Sequence, residues 1–439
     1  MRLSDLRDRS VAVWGSGREG VAAAAAIAPV GPADLVAVDD TLNFLALDWA
    51  QSRARDVPLI TGDGCFDALM GAEVIVRSPG IGQTHPWIIE ARRRGIEVTG
   101  GTALWMADHA GATVGVTGSK GKSTTTTLIH HLLGGVGRPA VLGGNIGTAP
   151  LDLPPAQQYV LELSCYQCAD LADSPRVAAL TALFPEHLDW HGGEEEYYRD
   201  KLNLVAHGPE HVVYNAADER LAARVTGRAA GLPDGFHVDG GQVRFRGEPL
   251  FARTVLGLVG IHNERNLCVA LTVLDSLGVD CVAERDALAA AVSSYQPLPH
   301  RLTEIADPSG LTFVDDTLAT SPYASMHAID AYEGRALTVI VGGTDRGLDY
   351  TPLRDHLATR TLTVIGIPDS GARIVETLAD LPGVRTEVAE DLVAAVRLAR
   401  KLTPVGGAVL LSPAAPSYGR FRNFEHRSEV FLQAVRDTA

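Results

Sequence analysis

Residues 113–133, TVGVTGSKGKSTTTTLIHHLL, constrain the fold more than any other stretch of this chain. TVGVT is rich in β-branched residues and reads as a buried strand, and the threonine- and leucine-rich run from Lys122 reads as a helix. The loop between them is Gly118-Ser119-Lys120-Gly121-Lys122-Ser123-Thr124. Glycines let backbone amides approach an anion at a helix start, Lys122 can neutralise β- and γ-phosphates, and Ser123 can coordinate Mg²⁺. The usual phosphate-loop pattern has glycine where this chain has Val116, so the loop is a variant with its inner glycine at 118. The plain alternative is a chance GKST on an ordinary helix. A strand–loop–helix unit of this kind predicts a parallel α/β layer and excludes all-β and all-α folds.

At about 150 residues per domain, 439 residues imply about three domains. The chain is 46% hydrophobic and 21% charged, as in an ordinary globular protein. A net charge of −15 argues against general binding to nucleic acid or anionic membrane. Cysteines 65, 165, 168, 268 and 281 are odd in number and sparse, which is no disulfide framework and favours a reducing compartment. No apolar run reaches the roughly 18–20 residues that span a bilayer. VAAAAAIAPV (21–30) follows a glycine turn and reads as a helix, not as a signal segment. The expectation is a cytoplasmic protein.

The strand–glycine turn–helix pattern occurs first at VAVW (11–14), GSGREG (15–20) and the alanine-rich run, followed by LVAVDD (35–40). EVIVRSPGI (73–81) reads as a strand ending in a Ser-Pro-Gly turn. After the loop at 118, the alternation continues through YVLELS (159–164), VAALTALF (177–184) and HVVYN (211–215). FHVDGGQVRFRGEPLFAR (236–253) is expected to be a peripheral β segment, and residues 260–278 a helix. SYQPLPHRL (294–302) reads as a linker, after which LTFVDD, LTVIVGG, LTVIGI and GAVLLSP restart the rhythm. The predicted domains are 1–110, 111–298 and 299–439.

Gly15-x-Gly17-x-x-Gly20, with Asp39 and Asp40 about twenty residues on, satisfies the dinucleotide fingerprint. Alone it suggests a nicotinamide oxidoreductase. It also suits another pyrophosphate ligand such as a nucleotide sugar, or simply a tight turn. In the middle region Glu162, His187 and Asp189 stand at strand ends, where open α/β sheets bind ligands. Cys165-x-x-Cys168 lacks a second ligand pair at zinc spacing and reads as two partly buried cysteines. ARRRG (91–95) and GGEEEYYRD (192–200) read as solvated helix faces, and Lys201 in isolation as an exposed helix lysine. In the last region Arg301, Arg346 and Ser417 read as anion-holding groups, or as ordinary turn and salt-bridge residues.

VTGSKGKSTTT, LELSCYQ, FPEHLDWH, GIHNERN, LPHRL, VDDTLATSP, GGTDRGLD and LSPAAPSYGRFRNFEHR occur in this order across nearly the whole chain. Together they resemble the Mur ligases, most closely the glutamate-adding branch. The resemblance implies an α/β protein with a Rossmann-like N-terminal domain, a P-loop ATPase-like central domain and a Rossmann-like C-terminal domain. It implies a cytoplasmic, ATP-dependent amide ligase of peptidoglycan precursor synthesis. Its substrates would be UDP-N-acetylmuramoyl-L-alanine and glutamate, and an acyl phosphate its intermediate.

Carried over by motif, the resemblance puts Arg18, Glu19, Asp40 and Thr41 around the uridine diphosphate, and Asn145 at the muramoyl-alanine end. Gly118 to Thr124 would hold the ATP phosphates, with Asn263, Asn266, Arg301 and Asp316 as further nucleotide contacts. Ser123, Glu162, His187 and a carbamylated Lys201 would hold two Mg²⁺ ions, and Lys122, Glu162, His187 and Lys201 would carry the chemistry. Thr320, Arg346, Ser417 and Phe424 would hold the incoming amino acid.

Two positions depart from the usual pattern, which has lysine at Leu318 and at Arg346. Both lie on the amino-acid side. GGTALW (100–105), LFPEHLDWHG and ATSPYAS resemble a subgroup that adds L-glutamate, whose product a separate enzyme epimerises. L-glutamate is therefore the expected substrate and D-glutamate the runner-up. A monomer is expected, with no nucleic-acid or membrane partner. Besides the oxidoreductase, a non-catalytic nucleotide-gated binding module is the remaining alternative.

Overall fold

The computed structural model describes residues 1–40, 49–258, 260–296, 298–345, 347–417 and 420–438, with the side chain of Asp189 also outside the description. The first sheet has the order β3-β2-β1-β4-β5, all parallel. Its strands are β1 (Ser10–Trp14), β2 (Asp34–Asp39), β3 (Leu59–Thr61), β4 (Val74–Arg77) and β5 (Glu97–Gly100). Alternate residues of β1 feed two cores. Val11 and Val13 pack with Ala37 and Val76 on one face, and Ala12 and Trp14 with Val38 and Ile75 on the other. Burial on both faces is what lets these strands be apolar without alternation.

Strand order reverses beside β1, and the glycine turn 15–20 sits at that switch point. A Cβ on Gly20 would lie 1.8 Å from the Gly15 carbonyl oxygen, so only glycine lets the helix Arg18–Ile27 start so close to the strand.

The second sheet, also parallel, has the order β11-β10-β9-β6-β8-β7. It comprises β6 (Thr113–Thr117), β7 (Val141–Gly144), β8 (Tyr159–Glu162), β9 (Val177–Leu180), β10 (His211–Asn215) and β11 (Arg228–Ala230). The expected peripheral segment is a three-stranded antiparallel sheet of β12 (Phe236–Asp239), β13 (Gln242–Phe245) and β14 (Glu248–Ala252). The predicted helix at 260–278 is Ile261–Ser276.

The last sheet has the order β15-β16-β20-β17-β18-β19, from β15 (Thr303–Ala306), β16 (Thr312–Asp315), β17 (Leu337–Val341), β18 (Leu362–Gly366), β19 (Val384–Val388) and β20 (Ala408–Leu411). Only β15 is antiparallel, and neither it nor β19 carries an apolar pattern that sequence reading detects. The chain divides into two compact units, Met1–Leu256 with Glu264–Tyr295, and Gly257–Asn263 with Gln296–Ala439. The short segment Gly257–Asn263 thus belongs to the second unit, although it precedes the predicted linker. Among the described residues no helix is long and apolar enough to cross a membrane. All five cysteines are free thiols and buried.

Candidate active site

The loop after β6 is shaped by its two inner glycines. Gly118 has φ +149°, and a Cβ there would meet the Thr181 hydroxyl at 2.1 Å. Gly121 has φ +88°, caps the helix Lys122–Gly135, and leaves no room for a Cβ beside Asn266 Oδ1 at 2.6 Å. Ser119 anchors the loop from beneath: its backbone N–H donates to the Ala182 carbonyl at 2.7 Å, and its hydroxyl to the Phe184 carbonyl at 2.7 Å. The strand predicted over 177–184 therefore ends at Leu180. Residues 181–184 leave the sheet to hold the loop.

Lys122 Nζ donates to the carbonyls of Gly118 at 2.9 Å and Ser119 at 3.1 Å. Lys201 Nζ donates to the same Gly118 oxygen at 2.9 Å, and only 1% of its surface is exposed. The expectation of a solvated helix for GGEEEYYRD, and of an exposed Lys201, is corrected here. The helix Glu194–Leu202 exposes Glu194 and Glu195 but buries Tyr197, Tyr198, Asp200 and Lys201 beneath the phosphate loop. Burial pushes the Lys201 ammonium below its usual range, and the nearby Lys122 adds to the fall. Against its burial, Lys120, Lys122 and Lys201 hold the Glu186 carboxyl below its usual range, so the lysines already face one carboxylate. Ser123 is buried at the helix start, Thr124 is half-buried, and Lys120 lies 3.8 Å from Glu186.

Glu162 ends β8, next to β6 in the sheet and in register with Val116. It is 2% exposed. Oε1 accepts from the Asn145 amide at 2.6 Å, while Oε2 is buried with no hydrogen-bond partner among the described residues. A buried carboxylate oxygen left unpaired is costly unless a cation takes it. His187 adopts a left-handed conformation (φ 56°) at the start of the short helix Leu188–His191. Burial, together with Lys122, Lys201 and Lys120 and against the pull of Glu186, pushes its imidazole down to about 4. It is therefore neutral at pH 7, the form in which imidazole ligates metals.

No three His, Cys, Asp or Glu side chains converge on a metal position among the described residues. The expected set contains only two of those types. Mg²⁺ characteristically uses one or two carboxylates plus phosphates and water, so the donors present fit it. Among the sequence-named residues, the structure thus gathers the loop 118–124, Glu162, His187, Lys201, Asn145 and Asn266 at one sheet edge. Asp189 lies in the short helix after His187.

At the first glycine turn, Asp39 Oδ2 accepts from the Ser16 amide at 3.0 Å, and Asp40 Oδ1 from the Trp14 indole at 3.1 Å. Arg18 reaches the second sheet, donating to the carbonyls of Gly147 at 2.6 Å and Asn145 at 3.1 Å. Glu19 accepts from Gln167 Nε2 at 3.0 Å, and burial raises its carboxyl to about 7. Thr41 lies outside the described residues.

One residue here was missed by sequence reading. The Ser78 hydroxyl, in the loop after β4, sits where a Gly15 Cβ would lie (2.3 Å) and has no hydrogen-bond partner among the described residues. Its signal was the Ser-Pro-Gly turn ending the strand beside β1. The same loop meets the second sheet's motif: Trp190 Nε1 donates to the Gly80 carbonyl at 3.1 Å, and the Arg77 guanidinium lies 5.4 Å over the Trp190 ring.

In the second unit, the C-terminal ends of β16, β20 and β17 are adjacent. Asp316 and Thr320 follow β16, and Ser417, 4% exposed, follows β20. Phe424 opens the helix Phe424–Asp437 and meets the His300 ring at 5.8 Å. Asp316 Oδ2 accepts from the Ser412 hydroxyl at 2.9 Å. Arg301 precedes antiparallel β15, whose pairing of Thr303 with Asp315 brings it to the same sheet edge. Asn263 belongs to this unit and is buried. Arg346 lies outside the described residues.

Comparison with known proteins matches residues 116–232 to the Mur ligase middle domain. The UDP-N-acetylmuramoyl-L-alanine--L-glutamate ligase of a Micromonospora species is 71% identical, covering 100% of this chain and 99% of that one. The protein of the same name from Salinispora tropica is 69% identical over 100% of both chains. Among solved structures, the UDP-N-acetylmuramate-alanine ligase MurC of Thermotoga maritima superposes with a TM-score of 0.59 at 18% identity, covering 98% of this chain and 100% of that one.

Proposed function

The chain belongs to the Mur ligases, and from that membership we propose that it joins L-glutamate to UDP-N-acetylmuramoyl-L-alanine with cleavage of ATP, in peptidoglycan precursor synthesis. The observation that carries the reading is the gathering of charged groups at Gly118, beside which the buried Glu162 Oε2 is left for a cation. Lys122 and Lys201 share the Gly118 carbonyl, with Glu162 and a neutral His187 at neighbouring strand ends.

A carboxylate is a poor acylating agent. In this reading the alanine carboxylate attacks the γ-phosphorus of ATP, forming an acyl phosphate and releasing ADP. The glutamate amine then attacks the acyl carbon and phosphate leaves. Lys122 exchanges its contacts with the Gly118 and Ser119 carbonyls for the β- and γ-phosphates, meeting the charge that gathers when two anions approach. Loop amides from Gly118 to Thr124 orient the phosphates, with Asn263, Asn266, Arg301 and Asp316 as the remaining nucleotide contacts. Ser123, Glu162, His187 and a carbamylated Lys201 would hold two Mg²⁺ ions, which when bound neutralise phosphate oxygens. The lowered basicity of Lys201 favours the neutral amine that carbamylation requires. Asn145, tied to Glu162, holds the muramoyl-alanine end beside the reacting phosphate.

Arg18, Glu19, Asp40, Thr41 and Ser78 are assigned in this proposal to the uridine diphosphate, and Thr320, Arg346, Ser417 and Phe424 to glutamate. Residues 1–110, 111–298 and 299–439 would then be the domains for UDP-substrate, ATP and amino acid. The reaction would run in the cytoplasm, on a monomer, with a separate epimerase acting on the product.

The nicotinamide reading is not favoured, since the relatives 71% and 69% identical over this whole chain bear a ligase name. The test is phosphate release from UDP-N-acetylmuramoyl-L-alanine, ATP and Mg²⁺ with each glutamate enantiomer. Release with L-glutamate is expected. Release with D-glutamate alone would replace the L reading by its runner-up, and release with neither would overturn the proposal.

A further inference from the structure

Arg427 is 0% exposed and feels the charge of Asp315, but its hydrogen bonds are not to that carboxylate. Its donors go instead to three strand-end loops of the second unit. Nε donates to the Thr317 hydroxyl at 2.8 Å and Nη2 to the Thr317 carbonyl at 2.7 Å, just after β16. Nη1 donates to the Ala415 carbonyl at 3.1 Å, after β20, and to the Gly342 carbonyl at 3.5 Å, after β17. The fit is tight. A Cβ on Gly343 would lie 2.9 Å from Nη1, so the absence of a side chain at 343 leaves room for the guanidinium. Ser428, the next residue, donates to Asp315 Oδ2 at 2.6 Å and pins the same helix to the end of β16.

We infer that Arg427 is a positioning residue for the incoming amino acid, its guanidinium holding in register the loops after β16, β17 and β20, of which the first and last carry Thr320 and Ser417. This rests on the assignment of those residues to glutamate. The physical case is the geometry of the fork. A planar group with five donors can bond several carbonyls in fixed directions at once, which a lysine ammonium cannot. Burial lowers Arg427 to about 10 against the pull of Asp315, so its place is held by the geometry of several directed hydrogen bonds. The cluster it ties together lies at the sheet edge assigned to the incoming amino acid. Phe424 precedes Arg427 by one helical turn, so both present to the same side of the helix.

Steady-state kinetics on the full chain tests this, with L-glutamate, ATP and UDP-N-acetylmuramoyl-L-alanine varied in turn. Arg427→Lys should raise KM for glutamate about tenfold or more while the other two KM values stay within about twofold. Thr317→Val, which removes one acceptor, should move the glutamate KM in the same direction by less, and Thr317→Ser should restore it. Arg400→Lys serves as the control. It alters another largely buried arginine of this unit, paired with Asp307 at 2.7 Å, and should leave the glutamate KM unchanged. A folded Arg427→Lys with unchanged glutamate KM, or with all three KM values rising together, overturns the inference. If Arg427→Lys does not fold, an unchanged glutamate KM in Thr317→Val overturns it. A wild-type chain inactive with both enantiomers would instead remove the functional reading beneath it.

Discussion

Lys122 and Lys201 put two ammonium groups on the carbonyl of Gly118, a repulsive arrangement that only an anion or loss of a proton relieves. The same logic applies with opposite sign at Glu19. Its carboxyl is raised to about 7 by burial, against Arg18, from an ordinary 4.5. The folded chain therefore holds this proton more tightly than the unfolded one. The resulting stabilisation is fully present below pH 4.5 and is lost as pH rises through about 7. Glu19→Gln keeps the acceptor for Gln167 and never ionises. The variant should match the wild type near pH 4 and exceed it near pH 8 by about 3 kcal/mol. Thermal melting at both pH values checks this, and an equal difference at the two would refute it.

At the scale of elements, β4 is tied to the turn that follows the helix Cys165–Cys168 by a buried ion pair. Arg77 Nη2 lies 2.7 Å from Asp170 Oδ1, with side chains 0% and 7% exposed. Gln83 adds a bond to the same oxygen at 3.2 Å. The end of the first sheet's β4 is thereby fixed against the segment that follows Glu162, so the first-sheet crevice and the phosphate loop share a frame. Arg77→Met should lower stability by about 3–5 kcal/mol, because it leaves Asp170 buried without its cation. Adding Asp170→Asn should recover part of the loss. No recovery in the double variant would show that packing around Arg77, not the charge, accounts for it.

At the scale of the molecule, the proposed monomer is tested by mass, the net charge of −15 being the feature that opposes self-association. Light scattering should return a mass near 46.5 kDa, and a mass near twice that would contradict it. The parallel layers, the two glycine turns and the peripheral hairpin sheet were legible in the sequence, because hydrophobic period and loop chemistry are local properties. The loop 118–124 and Glu162 were legible for the same reason. β15 and β19 were not, since their pairing partners rather than their own side chains make them strands. The burial of Lys201 was invisible as well. It follows from the meeting of Lys201 with Gly118, residues 83 positions apart, and nothing in EEEYYRDKL encodes that contact. Ser78 beside Gly15 and Arg427 beneath three loops belong with it. By itself the sequence determined which backbone could be built and which loop could hold phosphate. Tertiary structure alone decided which charges lost their water, because desolvation depends on neighbours brought together only by folding.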